Sequence, residues 1–290
     1  MSEQAPVSAT QAGQFGLEDE LVVNRLGYGA MRITGDGIWG QPKDRDVAKN
    51  VLRRALELGI NLIDTADSYG PSVSEELIGE ALHPYPAGLV IATKGGLERP
   101  APGQWTQNVR PEHLRKALEG SLKRLKLERI DLYQLHSPDR NVPFSESVGA
   151  LAELQAAGKI RHIGLSNVTV AQLTEAQKIV KIVSVQNRYN LGDRAHEQVL
   201  DVCEQRGIGF IPWFPLATGD LAKSGGELER IASAQHAKAS QVALAWLLGR
   251  SPVMLPIPGT GSVAHLEENA AADRLQLTVE QWNALNKLKH

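Results

Sequence analysis

Eight short apolar runs, each separated from the next by a stretch with helical periodicity, govern what this chain can fold into. In order they are RLGYGAM, NLIDTA, LVIATK, DLYQLH, KIRHIGLS, IVSVQN, IGFIPW and VMLPIP. Between them, apolar residues recur at helical spacing in segments such as DVAKNVLRRALELG, PEHLRKALEGSLKRLKL, ESVGALAELQAAG, VAQLTEAQKIV and AHEQVLDVCEQRG. Several runs are apolar on both faces, as strands are when helices cover a parallel sheet outside and side chains fill it inside. Eight strand-helix repeats predict an α/β fold of the closed (β/α)8, or TIM barrel, type. QFGLEDELVVN, ahead of the first repeat, predicts an N-terminal β-hairpin. Two extra helices are expected: one of the two in GELERIASAQHAKASQVALAWLLGR, and the final TVEQWNALNKL. The interior has no Ser/Gly-rich linker or charge block, so residues 1–290 read as a single domain, with 1–13 as a flexible tail.

Composition narrows the class of partner. The chain carries 31 basic and 33 acidic residues, a net charge of −2, which gives no electrostatic case for nucleic acid or an anionic membrane. One cysteine, Cys203, excludes an internal disulfide, and the Met-Ser-Glu-Gln start lacks the layout of a signal peptide. A cytoplasmic protein is the expectation. The longest apolar candidate, GIGFIPWFPLA, is broken by Pro212 and Pro215 and falls short of the ~20 residues that cross a bilayer. No metal is expected, and the pattern carries no signal for an oligomeric state.

The barrel makes position informative, because its active site lies at the C-terminal ends of the strands. Asp64, Lys94, His136, Ser166, Asn167, Gln186 and Trp213 all stand at or just past a strand end, and Tyr69 follows Asp64 closely. Singly, each has a bland reading: Asp64 as a helix cap, Lys94 as a solvated loop residue, Tyr69 as a turn residue, His136 as a structural histidine. Ser166 and Asn167 could cap a helix, Gln186 could satisfy buried backbone, and Trp213 could fill core. Together, a Tyr, a Lys, an Asp and a His point to carbonyl reduction. Hydride transfer to a carbonyl carbon builds negative charge on oxygen, and a placed proton donor lowers that barrier. Tyr69 is the expected donor, Lys94 would pull its pKa down from ~10, Asp64 would hold Lys94, and His136 would orient the carbonyl oxygen. Gly259, Thr260, Gly261 and Ser262 lead into the helix VAHLEENA, a loop suited to an anion. GDGIWG at 35–40 matches a dinucleotide pattern only literally: QPKDRD follows it instead of a helix, and Glu57 lies inside a helix.

GINLIDTADSYG, VIATKGG, YQLHSPD, IGLSN, VQNRYN, WFPLATG and IPGTGSVAHLEEN resemble, in the same order, the motifs of the aldo-keto reductases, and the likeness covers nearly the whole chain. LGYGAMR, LSNVT and IPGT are similar to a bacterial branch that includes pyridoxal reductases. The resemblance implies a barrel that holds a nicotinamide cofactor without a Rossmann domain and reduces aldehydes or ketones. It implies that Ser166, Asn167 and Gln186 bind the carboxamide and that Trp213 stacks on the nicotinamide ring. It further implies that Leu216 and Thr218 close over the pyrophosphate and that Glu268 and Asn269 contact adenine. NADPH is expected with NADH possible, and because Gly259 and His265 stand where many members place Lys and Arg for the 2′-phosphate, the discrimination is expected to be weaker than in those relatives. Met31, Trp39, Trp105 and Phe214 are the candidate walls for a small-molecule carbonyl substrate. Two rivals are a Schiff-base lyase using Lys94 and a cofactor-binding, redox-sensing module.

Overall fold

The computed structural model describes residues 7–18, 21–216 and 226–288. Strands β1 (Gln14–Glu18) and β2 (Leu21–Asn24) form the antiparallel hairpin. The barrel strands follow: β3 (Tyr28–Gly29), β4 (Leu62–Asp64) and β5 (Val90–Gly95). A second small hairpin, β6 (Leu97–Glu98) with β7 (Thr106–Gln107), sits in the next loop. Then come β8 (Ile130–Leu135), β9 (Ile160–Ser166), β10 (Ile182–Arg188) and β11 (Gly209–Trp213). These seven strands pair in parallel, in the order β11-β10-β9-β8-β5-β4-β3.

The eighth run closes the ring without becoming a regular strand. Phe210 bridges to Met254, with its N–H on the Val253 carbonyl and its own carbonyl receiving Leu255 N–H, both at 2.8 Å. On the other side Gly27 N–H reaches the Pro256 carbonyl at 2.9 Å. Pro256 and Pro258 have no N–H to give, so VMLPIP, expected as a strand, makes only these contacts. The result is a closed (β/α)8 barrel.

The helices are α1 (Arg45–Glu57), α2 (Val73–Leu82), α3 (Pro111–Leu125), α4 (Phe144–Ala156), α5 (Val170–Ala176) and α6 (Glu197–Arg206). After them come α7 (Glu227–Ala234), α8 (Ala239–Arg250), α9 (Val263–Ala270) and α10 (Val279–Asn286). Local chemistry sets several starts: the Asp44 carboxylate accepts the N–H groups of Asp46 and Val47, and Thr169 and Thr278 form capping boxes. α7 and α10 are the two additions to the repeat. α10 docks on α8 by stacking Trp282 on Trp246 at 5.9 Å, where a Cβ on Gly249 would come within 2.9 Å of the Trp282 ring.

Two apolar clusters divide the core. One, between barrel and helices, runs through residues such as Val51, Leu77, Leu118, Leu151 and Trp246. The other fills the barrel with Leu62, Val90, Ala92, Leu132, Val183, Ile211 and Leu255, and includes Leu17, Leu21 and Val23 of the hairpin. The hairpin is thus a plug for the end of the barrel opposite the strand C-termini. Of the segment expected as a flexible tail, residues 7–13 lie against this body: Ala9 is buried with its N–H on the Leu58 carbonyl at 2.7 Å, and Arg25 N–H reaches Gly13 O at 3.0 Å. GDGIWG opens no α-helix; its Asp36–Ile38 make one short 3-10 turn, and α1 begins only at Arg45. The segment forms a tight turn in which a Cβ on Gly35 would fall 2.2 Å from the Trp39 carbonyl. Among the described residues, no helix is long and apolar enough to cross a membrane.

Candidate active site

Lys94 lies on β5, fully buried, and its ammonium is committed three ways. It donates to Asp64 Oδ1 at 2.6 Å, to the Thr65 carbonyl at 2.8 Å and to Tyr69 Oη at 3.2 Å. An ammonium has three N–H groups, so this set is complete. Because Tyr69 Oη accepts from Lys94, its own O–H is left to point elsewhere. Asp64, at the end of β4, uses Oδ2 for two amides: Gln134 Nε2 at 3.0 Å and Gln186 Nε2 at 2.8 Å. His136, just past β8, meets the Tyr69 ring edge-on at 6.0 Å between centroids, and its Nδ1 lies 3.4 Å from Ser68 Oγ.

These contacts and the burial set the protonation states. Burial works to lower the Lys94 pKa, but Asp64 and Tyr69 outweigh it, and the net value is above that of a free lysine. Burial raises the Tyr69 phenol above 10, opposed by Lys94. The expectation that Lys94 would bring the phenol down toward neutral pH is therefore corrected, because desolvation of the phenolate is the larger effect. Burial first, and Lys94 second, hold the His136 imidazole well below its usual range, so it is neutral at pH 7.

A cavity of about 800 Å³ opens over this cluster. Its wall includes Asp64, Tyr69, His136, Ser166, Asn167, Gln186 and Trp213, together with Leu216, Gly259 and His265. Met31, Trp105 and Phe214, the candidate substrate walls, also border it. Trp39 does not: it packs behind the wall, 5.4 Å from the Arg99 guanidinium. Thr260, Ser262, Glu268 and Asn269 lie beyond the wall in the loop before α9 and on that helix. The Thr260 carbonyl receives Tyr28 Oη at 2.6 Å, and Ser262 caps α9. Thr218 falls outside the described residues.

The side chains expected to hold a carboxamide are partly engaged within the protein. Asn167, at φ 58°, donates Nδ2 to the His136 carbonyl at 2.9 Å and accepts Trp213 Nε1–H at 2.9 Å. This fixes the loop after β9 against those after β8 and β11. Gln186 gives its Nε2 to Asp64. Where β3 meets the loop before α9 the backbones leave no room for a side chain at two positions: a Cβ on Gly259 would lie 2.8 Å from the Gly29 carbonyl, and one on Gly29 would lie 2.7 Å from the Ile257 carbonyl. An elongated ligand with a polar ring and a phosphate end fits this donor set. Sequence reasoning missed three contributors. Gln134 reads as one more strand residue yet grips Asp64, and Ser68 reads as loop yet touches His136. Arg32 is exposed on the cavity wall beside Gly259, with no side-chain hydrogen bond or ion pair among the described residues.

A parallel barrel with a phenol, a charged lysine and a neutral imidazole converging on one cleft belongs to the class of NAD(P)H-dependent oxidoreductases that reduce carbonyls. The comparisons agree. Residues 25–290 match the Aldo/keto reductase family, and the chain belongs to it. It is 51% identical over 289 residues to an uncharacterized oxidoreductase of Schizosaccharomyces pombe, covering 99% of this chain and 94% of that protein. It is 46% identical over 271 residues to pyridoxine 4-dehydrogenase of Escherichia coli, covering 91% and 94%. An aldo-keto reductase from Klebsiella pneumoniae, crystallised with NADPH, superposes with a TM-score of 0.79 at 28% identity, covering 92% of this chain and 91% of that one. Neither rival function finds support here, and a lysine with all three protons spent is a poor amine nucleophile.

Proposed function

We propose that the enzyme reduces aromatic aldehydes, pyridoxal among them, with NADPH favoured over NADH and Tyr69 as proton donor. When bound, the cofactor supplies the hydride. Tyr69 stays protonated at neutral pH, and with Lys94 donating to Oη its own O–H would turn to a carbonyl oxygen in the cavity it borders. His136, kept neutral, would donate Nε2–H to the carbonyl oxygen, with Ser68 giving its hydroxyl proton to Nδ1 and so selecting that tautomer. Asp64 fixes Lys94, and Gln134 and Gln186 fix Asp64.

Ser166, Asn167 and Gln186 would hold the carboxamide, with Gln186 offering Oε1, and Trp213 would stack on the ring. Leu216 and Thr218 would lie over the pyrophosphate. Gly259, Thr260 and Ser262 would present backbone and hydroxyl groups to the phosphates, and Glu268 and Asn269 would meet the adenine. Arg32 supports the choice of NADPH: it supplies from the loop after β3 the cation that Gly259 and His265 do not guarantee. The 46% identity to pyridoxine 4-dehydrogenase supports an aromatic, pyridoxal-like substrate. A single domain in the cytoplasm fits the linker-free chain and its one buried cysteine, Cys203.

The observation that carries the reading is Lys94 Nζ at 3.2 Å from Tyr69 Oη beneath an open cavity. A screen of aldehydes, ketones and pyridoxal with NADPH and NADH tests it. Turnover of aromatic aldehydes with NADPH is expected, and absence of turnover across the panel would refute it.

A further inference from the structure

Arg99 lies behind the substrate wall rather than in it. The cavity wall includes its neighbours Leu97 and Trp105, whereas Arg99 faces an adjoining groove with Ser68, Lys116 and Arg124. The residue is 7% exposed. Its guanidinium carbon sits 3.8 Å from the Trp105 ring centroid and 5.4 Å from that of Trp39. Four donations go to main-chain carbonyls: Nε to Gln104 at 3.0 Å, Nη1 to Ile38 at 2.9 Å and to Ser68 at 3.4 Å, and Nη2 to Gly37 at 3.3 Å.

Those acceptors come from three different loops at the mouth. Gly37 and Ile38 follow β3, Ser68 follows β4, and Gln104 lies between β6 and β7. The first two loops are also joined directly, by Gly40 N–H to Gly70 O at 2.5 Å. Among the described residues, every hydrogen bond that ties residues 96–108 to those two loops is made by Arg99. Ser68, moreover, precedes Tyr69 and touches His136.

We infer that Arg99 is a positioning residue for substrate: one guanidinium clamps the three loops that carry Met31, then Ser68 and Tyr69, then Leu97 and Trp105, and so sets the width of the substrate end. The inference rests on the reading of this cavity as a carbonyl-reduction site. A planar fork with five donors can stack between two indoles and bond three loops together, whereas the ammonium of a lysine cannot do both. Because the fork is turned onto backbone carbonyls, Arg99 is a strut and not a receptor for an anionic substrate.

The test compares wild type with R99K and R99M. KM and kcat are measured with NADPH for propanal, benzaldehyde, 2-naphthaldehyde and 4-carboxybenzaldehyde, and NADPH binding by fluorescence titration. Misplaced walls should raise KM for the three aromatic aldehydes by about tenfold or more, equally with and without the carboxylate, while propanal changes by less than about threefold. NADPH affinity should hold, and R99K should be as impaired as R99M. Normal aromatic KM values in R99M, full rescue by R99K, or a loss confined to 4-carboxybenzaldehyde would each overturn the inference. If wild type reduces no aldehyde, the reaction assignment fails by itself. The clamp is then decided by acrylamide quenching of tryptophan fluorescence, which should increase in R99M and would refute the clamp if unchanged.

Discussion

The three N–H groups of Lys94 are all committed, which leaves it no freedom and no spare proton. Burying an ion pair costs desolvation on both partners, so its presence beneath the cavity points to chemistry more than to stability. Lys94→Met should therefore act on the phenol. The Lys94 charge lowers the Tyr69 pKa against the effect of burial, so removing it should move the alkaline ionisation governing alcohol oxidation to higher pH. A pH-rate profile on residual activity checks this, with a thermal melt to confirm folding; an unchanged midpoint would contradict the coupling. His136 gives a stability prediction. Its folded pKa is depressed, so as pH falls through about 6.5 the unfolded chain binds a proton that the folded chain refuses, and stability drops with a slope approaching 1.4 kcal/mol per pH unit. Denaturant melts at pH 5.5 and 7.5 should show this penalty in wild type and lose it in His136→Gln. Asp64, Lys94 and His136 were legible because each stands at or just past a strand end with a chemically loud side chain, and Tyr69 because it follows Asp64 in the same loop. Gln134 was not, because nothing in DLYQLH says that its amide faces Asp64 across the barrel.

Elements divide by which end of the barrel they serve. The end of β3 and the loop before α9 meet through Gly29 and Gly259 at the mouth, and Arg32 stands there with no side-chain ion pair among the described residues. Arg32→Ala should weaken NADPH binding by one to two decades and NADH binding by much less, since a charge-assisted contact to a phosphate is of order 1.5–3 kcal/mol. Fluorescence titration of both cofactors decides it, and an equal loss for the two would remove Arg32 from the 2′-phosphate. The hairpin serves the opposite end. Leu17 is 3% exposed in the barrel-filling cluster, so Leu17→Ala should cost about 2–5 kcal/mol in urea melts while leaving kcat near wild type. The hairpin could be read from alternation in QFGLEDELVVN. The docking of residues 7–13 could not, because it rests on backbone hydrogen bonds and one small residue, Ala9, without an apolar pattern.

At the scale of the molecule, the barrel was legible because eight apolar runs recur in register with helices, and only one topology closes such a repeat. What the repeat does not encode is how loops meet above it. Trp39 was expected at the cavity and instead lies behind Arg99, since a loop residue's direction depends on partners far away in sequence. The phenol's pKa eluded the sequence for a similar reason: a neighbouring lysine can be inferred from order, but the extent of burial cannot. Catalysis nevertheless turns on one atom, the Tyr69 hydroxyl oxygen held by Lys94 at the cavity wall. The direct test is steady-state reduction of an aromatic aldehyde by wild type and Tyr69→Phe, with NADPH binding titrated in parallel. Loss of the hydroxyl should lower kcat by at least about 10²-fold, with cofactor affinity largely intact. Near-normal turnover in a folded Tyr69→Phe protein would contradict the account.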